Sequence, residues 1–156
     1  MRINYTTYDI RRAQDTINVN SERRDIMVLS NSNSSSTDGS DESSVFVYAR
    51  VLGICHVNVI QTGIATPDYT PQRFNFLWVR WFKRVSPGSW RAHRLERISF
   101  PPMADESSFG FLDPNDVVRA CHVIPAFSFG VRYPDSQGLS VSARDSADFC
   151  QYYIGR

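Results

Sequence analysis

The hydrophobic positions fall into short β-like runs separated by polar punctuation. "VFVYARVLGICHVNVI", residues 45–60, is long, β-branched and apolar at both parities. It is the strongest strand signal in the chain, and Gly53 within it predicts a bulge or bend. "FNFLWVRWFKR", residues 74–84, predicts a second long strand. Alternation puts Phe74, Phe76, Trp78, Arg80, Phe82 and Arg84 on one side, and Asn75, Leu77, Val79, Trp81 and Lys83 on the other. Both sides are apolar at the centre. Arg80 can then stack on the neighbouring Trp78 or Phe82, and full burial would require a carboxylate partner. The aliphatic side assigns Trp81 to the core with Leu77 and Val79.

Shorter runs fill in the rest. "INYTTYDI" and "RDIMVLS" read as strands, and the polar "RRAQDTINVNSER" between them as a loop. "SNSNSSSTDGSDESS", residues 30–44, is low in apolar side chains and reads as a mobile loop inside the domain. "VSPGSW" reads as a turn, and "WRAHRLERISF" as a third strand or a mixed segment. In "FLDPNDVVRACHVIPAF", Asp113 before Pro114 predicts a capped helical turn feeding a strand over residues 119–124. "FCQYYIGR" starts a last strand. No long amphipathic helix is predicted. The fold class is therefore mainly β. Long bent strands with a glycine bulge favour a small, strongly curved barrel of the SH3-like kind, with one short helical turn.

Length and composition fit a single domain. The chain has 156 residues, 42% hydrophobic and 13% aromatic, enough to bury a core. Its net charge of +1 conceals an asymmetry. From Arg73 to Arg97 there are seven bases and one acid, giving +6; the other ten bases and fifteen acids give −5. Such a segment points to a polyanion contact. The candidate nucleic-acid-binding residues are Arg84, Arg91, Arg94 and Arg97, for which four phosphate contacts imply a log–log salt slope of roughly −3 to −4. Trp90, beside the turn, and Trp78 are the candidate surface rings. Trp78, Trp81, Phe82, Trp90 and Tyr48 could supply two or three rings of a cage for a methylated lysine on a chromatin protein tail.

Catalytic chemistry is weakly represented. Three cysteines, Cys55, Cys121 and Cys150, make no disulfide framework. Cys55-His56 and Cys121-His122 lack zinc-ligand spacing and read as buried thiols beside surface or hydrogen-bonded histidines. Asp113, Asp116, Asp145 and Asp148 are the carboxylates a metal-dependent nuclease fragment would use, but Asp113 is better explained as a cap. We expect no catalytic residues, no metal and no cofactor. No signal peptide or membrane span is evident, so the expected setting is intracellular.

Two resemblances bear on origin. Tyr48, Arg50 and Val51, followed by Val79, Trp81, Phe82 and Arg84, resemble the central strand pair of bromo-adjacent homology (BAH) domains, which implies an SH3-like barrel. "NYTTYDIRRAQDTIN", "RDIMVLS", "YARVLGICHVNV", "FLWVRWF", "GFLDPNDVVRACHVIPAF" and "ARDSADFCQYYIGR" resemble a segment of proteins encoded by transposable elements of mushroom-forming fungi. That segment is similar in order to the domain of unknown function that follows the transposase in plant CACTA-type elements. The resemblance implies a transposon-derived accessory domain: a non-catalytic module contacting DNA, RNA or chromatin, nuclear if functional. It also implies a chain that normally continues past the "YY" segment, hence a C-terminal truncation and the alternative of an inactive remnant.

Overall fold

The computed structural model describes residues 1–6, 12–30, 45–62, 68–85 and 95–155. The serine-rich expectation, apart from its first residue Ser30, lies outside these, as do Trp90, Arg91 and Arg94. The chain is mainly β. Its strands are β1 (Arg2–Thr6), β2 (Arg12–Thr16), β3 (Asp25–Leu29), β4 (Phe46–Gln61), β5 (Asp68–Trp81), β6 (Lys83–Arg84), β7 (Arg97–Ser99), β8 (Phe109–Leu112), β9 (Val117–Ala120), β10 (His122–Pro125) and β11 (Tyr152–Gly155). Helical structure among the described residues is limited to four single 3-10 turns.

Three sheets result: a hairpin β1-β2, a five-stranded sheet β8-β5-β4-β3-β9 and a four-stranded sheet β10-β11-β7-β6. Two stretches of chain pass from the second sheet into the third. β5 continues through Phe82 into β6, and β9 continues through Cys121 into β10.

Alternation on the central strands builds a core on each face of the five-stranded sheet. On one face Ile26, Val28, Ala49, Val51, Leu77, Val79 and Val117 pack with Ile17 beneath the β1-β2 hairpin, which contributes Ile3. On the other, Met27, Tyr48 and Phe82 meet Ile98, Phe100, Tyr152 and Ile154 of the four-stranded side. β5 is thus covered on both faces near its C-terminal end, as its pattern predicts. Trp81 belongs to the first core but only half-buried, at its rim. A side chain on Gly110 would press its Cβ to 2.6 Å from the indole Nε1 of Trp81.

The expected bulge is present: β4 and β5 shift register between Val51 and Gly53. The expected helical turn is present too. The Asp113 carboxylate accepts from the Asn115 amide (2.8 Å), and the turn Pro114–Asp116 runs into β9. The loop expected across residues 11–23 is instead partly strand. β2 pairs in register with β1, and Gln14 Nε2 donates to Asn4 Oδ1 at 2.9 Å. Polar side chains obscured it, because this hairpin buries only one side.

Candidate interaction surface

Beyond the bulge, β4 and β5 leave the body as a two-stranded ribbon. Every residue from Ile54 to Gln61 is exposed, as are residues 69–75. Register determines which side chains share a side, because directly opposed residues point the same way. Val57 faces Phe74, Cys55 faces Phe76, Gly53 faces Trp78, and across the other edge Trp78 faces Phe111 of β8. One side of the ribbon therefore carries Val59, Val57, Phe74, Phe76, Trp78 and Phe111 in one stripe. Phe76 and Phe111 meet edge to face at 5.4 Å, and Trp78 stacks with Phe109 at 6.2 Å. Phe111 is 73% exposed and Phe74 52%. With Val57 and Val59 these rings expose on the order of a few hundred Å², the size of the largest apolar patch on a typical monomer, which is often functional.

Followed inward, the same side of β5 reaches a buried charge cluster. Arg80 is 1% exposed, and its Nη1 donates to Asp148 Oδ2 at 2.6 Å. Asp148 Oδ1 accepts from Arg50 Nη1 at 3.3 Å and from the Tyr152 hydroxyl at 3.2 Å. Arg50 also donates from Nε and Nη2 to the two oxygens of Asp25, at 2.8 and 3.2 Å. Two guanidinium groups and two carboxylates thus cancel in the interior. Aromatic rings close the cluster: the Arg80 guanidinium lies 4.0 Å from the Phe100 centroid and that of Arg50 5.0 Å from it. The carboxylate partner that burial requires is present, but the ring on Arg80 is Phe100, not its strand neighbours Trp78 or Phe82. Their side chains stand two residues away along the strand, whereas Phe100 comes from the facing layer. The buried Arg80 Nε and Nη2 atoms have no hydrogen-bond partner among the described residues.

Burial opposes the Arg50 charge, but the paired Asp25 carboxylate outweighs it and lifts the guanidinium pKa. Burial pushes the Asp148 carboxyl up, while Arg80 and Arg50 pull it back. Burial, reinforced by Asp148, pushes the Tyr152 hydroxyl up to about 12. The cluster ties β3, β4 and β5 to the segment before β11 and lies under protein.

The basic candidates divide. Arg84 forms an ion pair with Glu96. Arg97 donates to Gln151 Oε1 at 3.3 Å and lies 5.4 Å from the Phe129 ring centroid. Trp78 is half-buried at the inner end of the aromatic stripe. Among the described rings of the methyl-lysine set, Tyr48 and Phe82 are buried in one core and Trp81 points to the opposite side of β5 from Trp78; Trp90 lies outside the described residues. The exposed rings are Phe74 and Phe111. Parity placed Phe74 on the correct side, but the exposure of Phe111 follows only from its pairing with Trp78.

The carboxylates do not converge. Asp113 caps its turn, and Asp148 serves the arginines. Burial opposes the Asp145 charge, but the amides of Ser140 and Leu139 hold its carboxyl below the usual range. Among the described residues no three His, Cys, Asp or Glu side chains gather as a metal site. Cys55 is exposed rather than buried, because its half of β4 lies beyond the body. A cleft of about 520 Å³ between the β1-β2 hairpin and the β9-β10 junction includes Asp15, Glu22, Arg23, Cys121 and His122. Asp15 is engaged there, accepting from the Ala120 amide at 2.9 Å. Burial pushes the Cys121 thiol up to about 12, so at neutral pH it holds its proton and makes a poor nucleophile.

No family model, curated protein or solved structure matches the chain. Among the described residues no helix is long and apolar enough to cross a membrane.

Proposed function

We propose that this chain is a non-catalytic interaction module that holds a protein partner against the aromatic side of the β4-β5-β8 sheet. One observation carries the reading: Phe74, Phe76, Trp78 and Phe111 align on one side of a protruding ribbon, with Val57 and Val59 beside them. Between Leu52 and Gln61 β4 has no Asp, Glu, Lys or Arg. An apolar, weakly charged surface suits an extended peptide or a protein face, with rings as anchors. The architecture fits a small curved barrel of the SH3-like and BAH-like kind. The chain turns from one sheet to the next at Phe82 and Cys121, and the second core fills the space between those sheets. An origin as a mobile-element accessory domain acting at chromatin in the nucleus belongs to the same proposal.

Nucleic acid is the second reading, favoured by the same rings, since bases stack on exposed aromatics. Against it, Arg84 and Arg97 are already engaged. The test is fluorescence anisotropy with two probe sets: extended peptides of alternating apolar side chains, lysine-rich tails among them, and oligothymidine. Peptide binding that disappears in Phe74→Ser/Phe111→Ser supports the first reading. Oligothymidine binding with a salt slope near −2.8, the value for about four single-strand contacts, would replace it with the second. No binding to either set would reject both.

A further inference from the structure

Strand β4 outruns its neighbour β3. Their pairing ends at Arg50, with one further bond from the Val51 amide to the Arg24 carbonyl. From Leu52 to Gln61 the β3-side edge of β4 has no strand partner among the described residues. Natural proteins guard such an edge with charge, proline or a bulge, because its free amide and carbonyl groups invite another strand. The far edge of the ribbon is guarded, since β5 carries Pro71 and Arg73 there. Past its bulge at Gly53, the β4 edge has no proline and no Asp, Glu, Lys or Arg.

The residues on that edge complement themselves. The segment reads Ile54-Cys55-His56-Val57-Asn58-Val59-Ile60. An antiparallel pairing of two copies about an axis through Val57 sets Ile54 against Ile60, Cys55 against Val59, His56 against Asn58, and Val57 against itself. Apolar residues meet apolar ones, and the two polar positions meet each other. A one-residue slip sets Val57 against Asn58 and His56 against Val59. The symmetric register also lays Gly53 opposite Gln61, so the paired length matches the free edge.

We propose that the β4 edge is a homodimer interface, in which two copies pair antiparallel over Ile54–Ile60 with Val57 on the two-fold axis. A second copy fits better than a charged foreign strand, because the edge offers no charge for such a strand to answer. Pairing puts the Phe74 and Phe76 rows of both copies on the same side of a four-stranded ribbon. Seven residues a side is well below the roughly 20–30 of a standard interface, so the dimer is weak and concentration-dependent. Growth stops at two, because the remaining edge is the guarded one on β5. The dimer uses the edge of the strand and does not rest on the partner proposed for its aromatic side.

Analytical ultracentrifugation from micromolar to submillimolar protein should show a monomer–dimer equilibrium. Val57→Lys sets two ammonium groups against each other and should raise the dimer dissociation constant by about tenfold or more. Its unfolding midpoint at low concentration should not change, because Val57 lies outside both cores. Cysteine crosslinking in a Cys150→Ser background reads the register. Val59→Cys should form a covalent dimer through the second copy's Cys55, and Val59→Cys/Cys55→Ser should not. The parent should not either, because its two Cys55 residues lie about 14 Å apart along the paired strands, beyond disulfide reach. A monomer at every concentration, a dimer indifferent to Val57→Lys, a crosslink independent of Cys55, or species larger than dimers would each overturn the proposal. Peptide binding lost in Phe74→Ser/Phe111→Ser while the dimer persists keeps the two surfaces separate.

Discussion

Asp148→Ala removes the one carboxylate that both buried arginines share. Arg80 makes its only hydrogen bond in the cluster to Asp148, at 2.6 Å. With 1% of its surface exposed, it cannot turn to water without opening the core. The Phe100 ring at 4.0 Å remains, and a desolvated cation–π contact of about 2 kcal/mol does not replace an ion pair. Arg50 keeps Asp25 and suffers less. Stranding a buried charge costs about 3–5 kcal/mol, a large part of the roughly 5–15 kcal/mol that holds a domain. With an m-value of about 2 kcal/mol/M, the urea midpoint falls by roughly 1.5–2.5 M. Arg80→Met removes the charge that Asp148→Ala strands, while Asp148 keeps Arg50 and Tyr152. The double variant Arg80→Met/Asp148→Ala should therefore be less destabilised than the sum of the singles, by about 1–3 kcal/mol of coupling. A midpoint shift below roughly 0.5 M for Asp148→Ala, the range of a surface pair, would refute the reasoning and mean that water reaches Arg80.

Two further outcomes follow from the interior. Tyr152 holds its proton up to about 12 in the fold against 10.0 in an unfolded chain, so its contribution to stability is complete below pH 10 and is lost as pH rises toward 12. Ultraviolet titration should show Tyr152 among the phenols that ionise late, together with unfolding, and Tyr152→Phe should reduce the late amplitude by one phenol; an unchanged late amplitude in Tyr152→Phe would contradict it. Gly110→Ala should cost about 1–3 kcal/mol by displacing the Trp81 ring and much less in a Trp81→Ala background, read by thermal unfolding of the four variants; strict additivity would show that the two residues do not meet.

The parts of the fold that were legible in sequence are those where burial repeats with the period of a strand. β4 is legible as a long β-branched run apolar at both parities, β5 through its two faces, Gly53 through its missing side chain, and Asp113-Pro114 through capping chemistry. The need of Arg80 for a carboxylate was legible, because a buried charge has few options. The identity of that carboxylate was not. Asp148 lies 68 residues away, in a polar tail without periodicity, and only the fold brings it under β5. β2 was hidden for the opposite reason: its polar residues follow no apolar alternation, and its pairing with β1 supplies what the pattern lacks.

The basic segment shows why a charge count along a chain is a poor map of the field around a protein. The +6 between Arg73 and Arg97 includes Arg80, whose charge is cancelled inside by Asp148. It includes Arg84, which shares its charge with Glu96 at the surface, and Arg97, which is held by Gln151 and Phe129. A guanidinium already seated on a carboxylate gains less from a phosphate, since it must first give up that partner. Among the described residues Arg73 and Lys83 stay exposed, while the outer part of the Arg80 side of β5 is apolar. The side of β5 that carries Arg80 inward carries Phe74 and Phe76 outward, and alternation obliges them to share it. Along β5 itself, alternation thus puts a buried ionic clamp at Arg80 at one end of this side and the exposed ring of Phe74 at the other.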